Sequence, residues 1–502
     1  MLALAPTAAM AISLPEILAR SYQSNPTIAG ARADQRATDE GVIAAKSAAL
    51  PALSANASYD EFLQRGSNDS TAPRRLFSAG LQASMPLFAG GATISSIKSA
   101  EARVRAGRET LRGTEAQIMV DTASVYADVL TNQMIVDFYA QQMAILDENI
   151  SYAQSGFDHG DLTKTDIEQA RARREAAEGQ LESAQANLTT SREDFLRLSG
   201  IAPENLEPLP ELPGLPASAD QALDYALDHN PGLLGAREAS QVARYQIGVA
   251  AASRLPRVDV VANAGYSDYF KTFGGGTAAL FDQTSRTSSL GVRATLPLYQ
   301  GGLPAARIRE AKATLGRTME EITAAERLVS SQARSYFYRL EAARRSADAA
   351  QRAIVASEHA LTGIRAELKA GTRTIIDLLN AEQEVLNARI QLAQAQRETF
   401  VAGFTLLAIM GRADPESLAI GTPNYDPAVH YKKVRNSFWD FGTGPAVARM
   451  SAESHALALP ASAPALSISS SPAPVAPPPA APSPSLSFDA AVFDEPAGLA
   501  GG

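Results

Sequence analysis

The chain has 502 residues, and its 45 basic against 54 acidic side chains give a formal net charge of −9. This acidic balance excludes the clustered basic surface on which nucleic-acid binding depends. The absence of cysteine and the presence of only five histidines exclude a disulfide framework and a thiol nucleophile, and they predict no metal site and no cofactor.

Residues 1–11 form a short apolar stretch that ends in Ala9-Met10-Ala11. This pattern is typical of the end of a secretory signal peptide, so we predict a residual signal peptide at 1–11. An ordinary Ala-rich helix start is the alternative. No apolar run further along the chain reaches the ~18 residues that a membrane-spanning helix requires, so any membrane contact must be made by strands.

Residues 13–200 form a first predicted repeat. Its region 87–202 contains no proline and is rich in residues that favour helices, which predicts long helices there. The segment before that region alternates apolar with small or polar side chains, which predicts strands. The predicted elements of this repeat are helices 13–46, 92–154 and 163–199 and strands at about 51–64 and 76–88.

After a Pro-rich linker at 201–217, the same pattern returns as a second repeat at 218–411. Asn25-Pro26 returns as Asn230-Pro231, 205 residues later, and Gly90-Gly91 returns as Gly301-Gly302, 211 residues later. One supersecondary unit is therefore present twice. The predicted elements of this repeat are helices 218–250, 304–366 and 374–410 and strands at about 257–270 and 288–299.

Apolar residues recur every seven positions along both long helices. A strict seven-residue repeat predicts helices that pack as a left-handed supercoil. A soluble or peripheral coiled-coil structural or adaptor protein of the envelope would show the same pattern. The matched positions are Ile97, Val104, Leu111, Ile118 and Val125 in the first copy and Ile308, Leu315, Ile322, Val329 and Tyr336 in the second.

The four predicted strands limit how this chain could enter a membrane. A barrel needs about eight strands or more, and an open sheet edge in lipid leaves backbone groups unpaired. The strands must then be pooled by an oligomer. Two chains would give eight strands, and three would give twelve with an open lumen.

The residues after the second repeat, 412–502, divide in two. Residues 412–450 contain aromatic and charged side chains and are predicted to form an ordered belt. From 451 to 502 the chain is rich in Ala, Pro and Ser and has no apolar period, which predicts a disordered tail.

The junction motifs carry a resemblance to a known family. Pro86-Leu87-Phe88-Ala89-Gly90-Gly91 and Pro297-Leu298-Tyr299-Gln300-Gly301-Gly302 each stand between a predicted strand and a long helix. With the turn after Gly371, they make 13–411 resemble the TolC family of outer-membrane efflux proteins. A phosphate-binding loop is the weaker reading of the glycine pairs, because no Lys-Ser/Thr follows them.

This resemblance implies an α+β membrane protein built as a homotrimer. It implies a 12-stranded transmembrane β-barrel in the cell outer membrane, with four strands from each chain, continued by a long left-handed α-helical tunnel in the periplasm. The implied partners are outer-membrane lipids, a periplasmic adaptor protein and an inner-membrane transporter of the ABC or RND type. The implied function is a passive exit duct for efflux or type I secretion, with no enzymatic activity.

The corners that end the long helices are the candidate functional site. Gly160 and Gly371 stand at helix stops, and Thr163/Asp166 and Thr374/Asp377 have the spacing of capping boxes. By resemblance, these corners form the periplasmic tip that closes the tunnel. The resemblance assigns Arg373 to a link with Asp166, Asp377 to a carboxylate ring, Asn380 to the place of a second carboxylate, and Leu368 to that of a bracing tyrosine.

Overall fold

The computed structural model describes residues 12–64 and 73–442. The predicted signal peptide and the predicted tail at 451–502 lie outside the described residues, as do the last residues of the predicted belt. The described residues up to Trp439 belong to one unit.

Each repeat begins with a pair of helices. In the first repeat these are α1 (Leu14–Ser24) and α2 (Pro26–Ser47), and in the second α5 (Ala219–His229) and α6 (Pro231–Ala252). The prediction of a single helix at 13–46 and at 218–250 is therefore wrong. A proline lacks the N–H of a helix interior and forces the preceding residue out of helical geometry. Asn25 and Asn230 are accordingly extended, and their side chains cap the second helix of each pair.

A long helix and a returning helix complete each repeat. The first hairpin consists of α3 (Ala92–His159) and α4 (Lys164–Ser199), and the second of α7 (Leu303–Lys369) and α8 (Ile375–Ile409). The long helices extend a few residues past their predicted ends because the glycines that stop them lie at 160 and 371. Within the described residues, no helix is both long enough and apolar enough to cross a bilayer.

The four strands form one antiparallel sheet in the order β1-β2-β3-β4. The two strand hairpins have the same register. In the first, Ala55 pairs with Leu81. Val260 lies 205 residues after Ala55 and Val292 lies 211 residues after Leu81, and these two residues also pair. The duplication seen in the sequence is therefore preserved in the strand pairing. The strands are β1 (Ala52–Glu61), β2 (Arg75–Ala89), β3 (Arg257–Asp268) and β4 (Thr284–Thr295).

The fourth strand lies about four residues earlier than the predicted 288–299. The end of β2, from Met85 to Ala89, is paired with β3 through a bulge between Pro86 and Phe88. The matching residues after Thr295 have no strand beside them in the described part of the chain, because β4 is at the edge of the sheet. Without that partner the strand ends before Pro297, which has no N–H to donate.

The sheet has one apolar face and one polar face. Leu81 lies beside Ala55 and Ala264, whereas its neighbour Gln82 lies beside Ser54 and Asn263. Because side chains alternate along a strand, this register continues the two faces across the whole sheet. This division is the one that the alternation in the sequence predicts.

The main core lies where the first hairpin meets the short helices, and Tyr126 is at its centre. Its ring is fully buried, and its hydroxyl donates to the carbonyl oxygens of Ile12 (3.1 Å) and Glu207 (2.7 Å). The start of the described chain and the segment between the repeats are thereby fixed to α3. Other members of this core are Ile17, Leu18, Ile28, Met119, Phe195 and Phe404.

The segment after α8 lies against the first repeat. Its helix α9 (Ala428–Val434) packs on α2. The guanidinium of Arg32 lies 4.4 Å from the ring centre of Tyr22 and 4.8 Å from that of Tyr425, and it also pairs with Glu115 at 3.1 Å. The described part of the predicted belt is thus fixed to the opening helices by the cation–π contact between Tyr425 and Arg32 and by the packing of α9 on α2.

Candidate functional site

The first corner joins α3 to α4. Gly160 ends α3 with φ 83°, a left-handed conformation that glycine adopts without a steric cost. Thr163 then starts α4 with a complete capping box: its N–H donates to the Asp166 carboxylate (2.9 Å), and the Asp166 N–H donates to the Thr163 hydroxyl (3.4 Å). The carboxylate of Asp166 therefore has a structural partner within its own corner.

The second corner is built in the same way between α7 and α8. Gly371 has φ 73°, and the Thr374 N–H donates to the Asp377 carboxylate at 3.1 Å. The Asp377 N–H donates to the Thr374 hydroxyl at 3.3 Å. Hydrogen bonds from the backbone and then the hydroxyl of Thr374, together with the charge of Arg373, hold the pKa of Asp377 below its usual value.

Arg373 makes the second corner different from the first. Its guanidinium Nε donates to Glu367 at 2.7 Å, and both side chains are about half exposed. Among the residues that the structure describes, no ion pair joins Arg373 to Asp166 within the chain. The link between these two residues stays a prediction.

Asn380 and Leu368 stand where the resemblance places a carboxylate and a tyrosine. The Asn380 side-chain oxygen accepts from Arg173 of α4 at 2.8 Å, which connects the two hairpins. Leu368 is half-buried, and its carbonyl oxygen accepts from the Gly371 N–H at 2.9 Å. Neither side chain adds a carboxylate or a phenol to the corner.

One polar contact near the corners was missed from the sequence. Glu382 is only 4% exposed, and its carboxylate accepts from Asn149 of α3 (2.6 Å) and from Arg365 of α7 (3.1 Å). The available indication was its spacing, because Glu382 falls on the apolar stripe of α8 between Leu378 and Val385.

The two strand-to-helix junctions have the same backbone conformation but differ in the atoms that surround them. Gly90 and Gly301 both have φ 60°, and Gly91 and Gly302 have φ 81° and 84°. A Cβ on Gly90 would stand 2.8 Å from the carbonyl oxygen of Ala252, whereas a Cβ on Gly301 would meet no atom of this chain within 4 Å. Pro86 and Pro297 precede these glycines, so both junctions are tight turns into a long helix.

The carboxylates of the two corners are engaged in capping their own helices. Across the described ranges, no group of three His, Asp or Glu side chains lies close enough to hold a metal ion. The corner carboxylates of Asp166 and Asp377 accept hydrogen bonds from their own helix starts. What the corners offer is a capped helical turn at the end of each hairpin, with one carboxylate, Asp166 or Asp377, held at each helix start.

Comparison with known proteins identifies the architecture. The family model for outer membrane efflux proteins matches residues 17–200 and 222–412, one match for each repeat. The outer membrane efflux protein BepC of Brucella suis is 32% identical over 87% of this chain and 93% of its own length. The outer membrane protein TolC of Escherichia coli is 27% identical over 81% of this chain and 84% of its own.

A solved structure shows the same fold. The crystal structure of the outer membrane protein VceC from Vibrio cholerae superposes with a TM-score of 0.67, covering 79% of this chain and 96% of that one at 18% identity. These matches favour a duct over the alternative of a soluble or peripheral coiled-coil protein. The proteins matched are channels rather than enzymes, and that this chain has no enzymatic activity stays a prediction. The chain belongs to the outer membrane efflux protein family, and it is an outer-membrane exit duct with a helical tunnel in the periplasm.

Proposed function

We propose that three copies of this chain close into one passive duct, which receives its cargo from an inner-membrane transporter of the ABC or RND type and a periplasmic adaptor protein. The observation that carries the proposal is the open sheet of a single chain. Within the described residues, the edge strands β1 and β4 each have one side without a partner strand. In a bilayer such edges must be paired, and twelve strands leave a lumen where eight do not.

The duplicated structure supports a specific way of pairing these edges. Within the chain, β2 of the first repeat pairs with β3 of the second, so that Ala83 faces Ala262. If the next chain continues the same pattern, β4 pairs with its β1, and Ala294 faces Ala57. The empty space beside Gly301, in contrast to the crowded Gly90, supports a neighbouring chain at this junction.

The corners are proposed to form the gate of this duct. α3 of the first hairpin packs on α8 of the second, so the repeated pattern brings α7 of one chain beside α4 of the next. Arg373 then lies near Asp166 of a neighbouring copy, and this link is proposed to close the tip between chains. Asp377 supplies one carboxylate from each chain to the constriction, where converging negative charge attracts cations.

The cargo is proposed to be small toxic molecules, because the relative with 32% identity is named an efflux protein. Export of a polypeptide by type I secretion is the second candidate. The two are separated by deleting the gene and measuring drug susceptibility and secreted protein in the same strain. Raised drug susceptibility with an unchanged secreted proteome supports efflux, and the reverse supports secretion.

Disulfide cross-linking tests the assembly directly. The natural chain contains no cysteine, so an introduced pair reacts without background. Oxidising the double variant Ala57→Cys/Ala294→Cys should give covalent dimers and trimers and nothing larger. The control Ala57→Cys/Leu290→Cys is displaced by four residues on the same face, ~13 Å along the strand, and should not cross-link. Cross-linking of the control alone, or a product larger than three chains, would refute the proposed pairing.

A further inference from the structure

The described belt segment runs alongside α2 and in the same direction. Tyr425 contacts Arg32, whose guanidinium lies 4.8 Å from the centre of the tyrosine ring. Five residues later, Nδ1 of His430 lies 3.2 Å from the carboxylate of Asp39, which is 1% exposed. Arg32 and Asp39 are seven residues apart, or ~10 Å along the helix axis. The segment therefore advances along α2 toward the C-terminal end of that helix.

The last contact with α2 places the segment beside the start of the sheet. The ammonium of Lys46, in the last turn of α2, donates to the carbonyl oxygen of Arg435 at 3.2 Å. The first strand begins at Ala52, six residues after Lys46. Phe438 and Trp439 follow Arg435 by three and four residues, which keeps Trp439 within ~14 Å of that contact. These two aromatic residues therefore lie at the end of the helical region where the strands begin.

This end of the helices is the periplasmic edge of the membrane. The sheet lies in the outer membrane and the helical tunnel lies in the periplasm, so the boundary between lipid and water is where they meet. Trp439 is 74% exposed and Phe438 is 49% exposed. Tryptophan is enriched at such boundaries because its ring is mostly apolar, whereas its indole N–H can donate to water or to headgroups.

Basic side chains accompany these aromatic residues. Lys432, Lys433 and Arg435 are all exposed, and no acidic residue lies between Asp426 and Asp440. Among the residues that the structure describes, no ion pair involves any of the three basic side chains. In a chain with a net charge of −9, they form a local basic surface of the kind that anionic lipid headgroups attract.

We propose that the end of the belt, from Lys432 to Trp439, binds the anionic phospholipid surface at the periplasmic face of the outer membrane. Phe438 and Trp439 enter the headgroup region, and the basic side chains contact lipid phosphates. A protein partner could bind at any height of the tunnel, whereas the aromatic residues and the basic surface coincide at the membrane edge. This lipid contact lies outside the sheet, and it depends neither on the gate nor on the cargo.

The test uses the fluorescence of Trp439. It is the only tryptophan of the chain, so its emission reports on this segment without background. The full chain is reconstituted into vesicles of mixed zwitterionic and anionic phospholipid, with or without bromine on the acyl chains near the headgroup. Bromine quenches tryptophan on contact, so Trp439 should lose intensity in the brominated vesicles. Acrylamide, which quenches from the water, should have little effect on it.

Two control variants place the single tryptophan elsewhere, in a Trp439→Phe background. Leu290→Trp lies on the apolar face of the sheet opposite Ala262 and should be quenched by the brominated lipid. Tyr152→Trp is exposed near the end of α3, at the first corner, and should be quenched by acrylamide alone.

The basic residues are tested by the double variant Lys432→Ser/Lys433→Ser. Each basic side chain near an anionic membrane favours the bound state roughly fivefold, so the double variant should lower the ratio of lipid-bound to water-exposed Trp439 roughly 25-fold. High salt should act in the same direction. The control Lys164→Ser/Lys369→Ser removes the same charge at the two corners and should leave Trp439 as in wild type.

The outcomes separate this inference from the placement of the duct. If Leu290→Trp is quenched by brominated lipid and Trp439 only by acrylamide, the segment lies in water and the inference is refuted. If neither agent quenches Trp439, protein covers it, as a neighbouring copy would, and the inference is refuted as well. If Leu290→Trp also escapes the brominated lipid, the placement of the sheet in the membrane fails too. Quenching by lipid that is equal in wild type and in Lys432→Ser/Lys433→Ser refutes the role of the basic residues.

Discussion

The two helix corners are built from the same parts and yet differ in their charged neighbours. Both have a left-handed glycine and a Thr–Asp capping box, at residues exactly one repeat apart. Only the second has an arginine, Arg373, and only the helix that follows it contains the buried Glu382. The shared parts determine the shape of a corner, whereas the residues unique to one repeat determine which neighbour it can hold.

Substitutions on the strand faces test whether the two repeats are equivalent. They have the largest expected effect on stability. Leu81 and Val292 are matching residues on the apolar face. Leu81→Arg and Val292→Arg should each reduce stability in the membrane by ~2–4 kcal/mol if the side chains face the bilayer midplane. Gln82→Arg, on the polar face, should be tolerated. Urea titration of the folded protein in lipid vesicles measures all three, and equal tolerance on both faces would contradict the assignment.

The junction glycines should give a smaller effect that separates folding from assembly. An alanine at φ 60° costs about 1–2 kcal/mol at either Gly90 or Gly301. Gly90→Ala adds a clash with the Ala252 carbonyl inside the chain, whereas Gly301→Ala adds one only if another chain packs there. We expect Gly90→Ala to lower the yield of folded chain and Gly301→Ala to lower the yield of trimer. Thermal denaturation measures the folding of the chain, and native mass measurement gives the yield of trimer. A folding defect in Gly301→Ala but not in Gly90→Ala would contradict this prediction.

The repeats, the long helices and the strand faces could be predicted because each depends on local patterning. Proline-free stretches, seven-residue spacing and alternation are local patterns in the sequence. Each pattern in the first repeat appears again in the second. The breaks at Asn25-Pro26 and Asn230-Pro231 are equally local, because each proline forces the residue before it out of helical geometry. The early end of β4 could not be found in this way, because it depends on a partner strand that is absent from the described part of the chain.

Only part of the candidate site could be predicted from the sequence, because only that part depends on local patterns. The capping boxes follow from a spacing of three residues. The partner of Arg173 and one partner of Glu382, Asn149, are more than 200 residues away in sequence, on the other hairpin. No local pattern indicates which side chains will meet across such a distance. Glu382 interrupts an apolar stripe, which marks it as unusual without naming Asn149 or Arg365.

The capping boxes should give nearly equal effects in the two corners. Thr163→Ala and Thr374→Ala each remove a side chain that accepts from a helix-start N–H, and each should destabilise its hairpin by about 1 kcal/mol. Hydrogen exchange of the first turns of α4 and α8 measures this locally. A much larger loss at Thr374 would show that the second corner depends on its cap in a way that the first does not.

The smallest expected effect concerns cation block at the tip. Three copies of Asp377 should bind multivalent cations, so Asp377→Asn should weaken the block in bilayer recordings, and Asn380→Asp should deepen it. The pKa of Asp377 is lowered, so its charge persists below the usual range. The block should therefore be retained at mildly acidic pH and lost only as the pH falls through that lowered pKa. If the block is instead lost over the pH range in which ordinary carboxylates titrate, Asp377 is not the residue that binds the cations.

The gate that we propose holds the tip closed through a link between the corners of neighbouring chains. Single-channel conductance of Arg373→Ser and of Asp166→Ala, compared with wild type at matched trimer yield, measures this. Lys164→Ser, an exposed basic residue of the first corner, is the control. We predict a higher conductance in both link variants and wild-type behaviour in the control. Conductance equal to that of wild type in both link variants would contradict the gate.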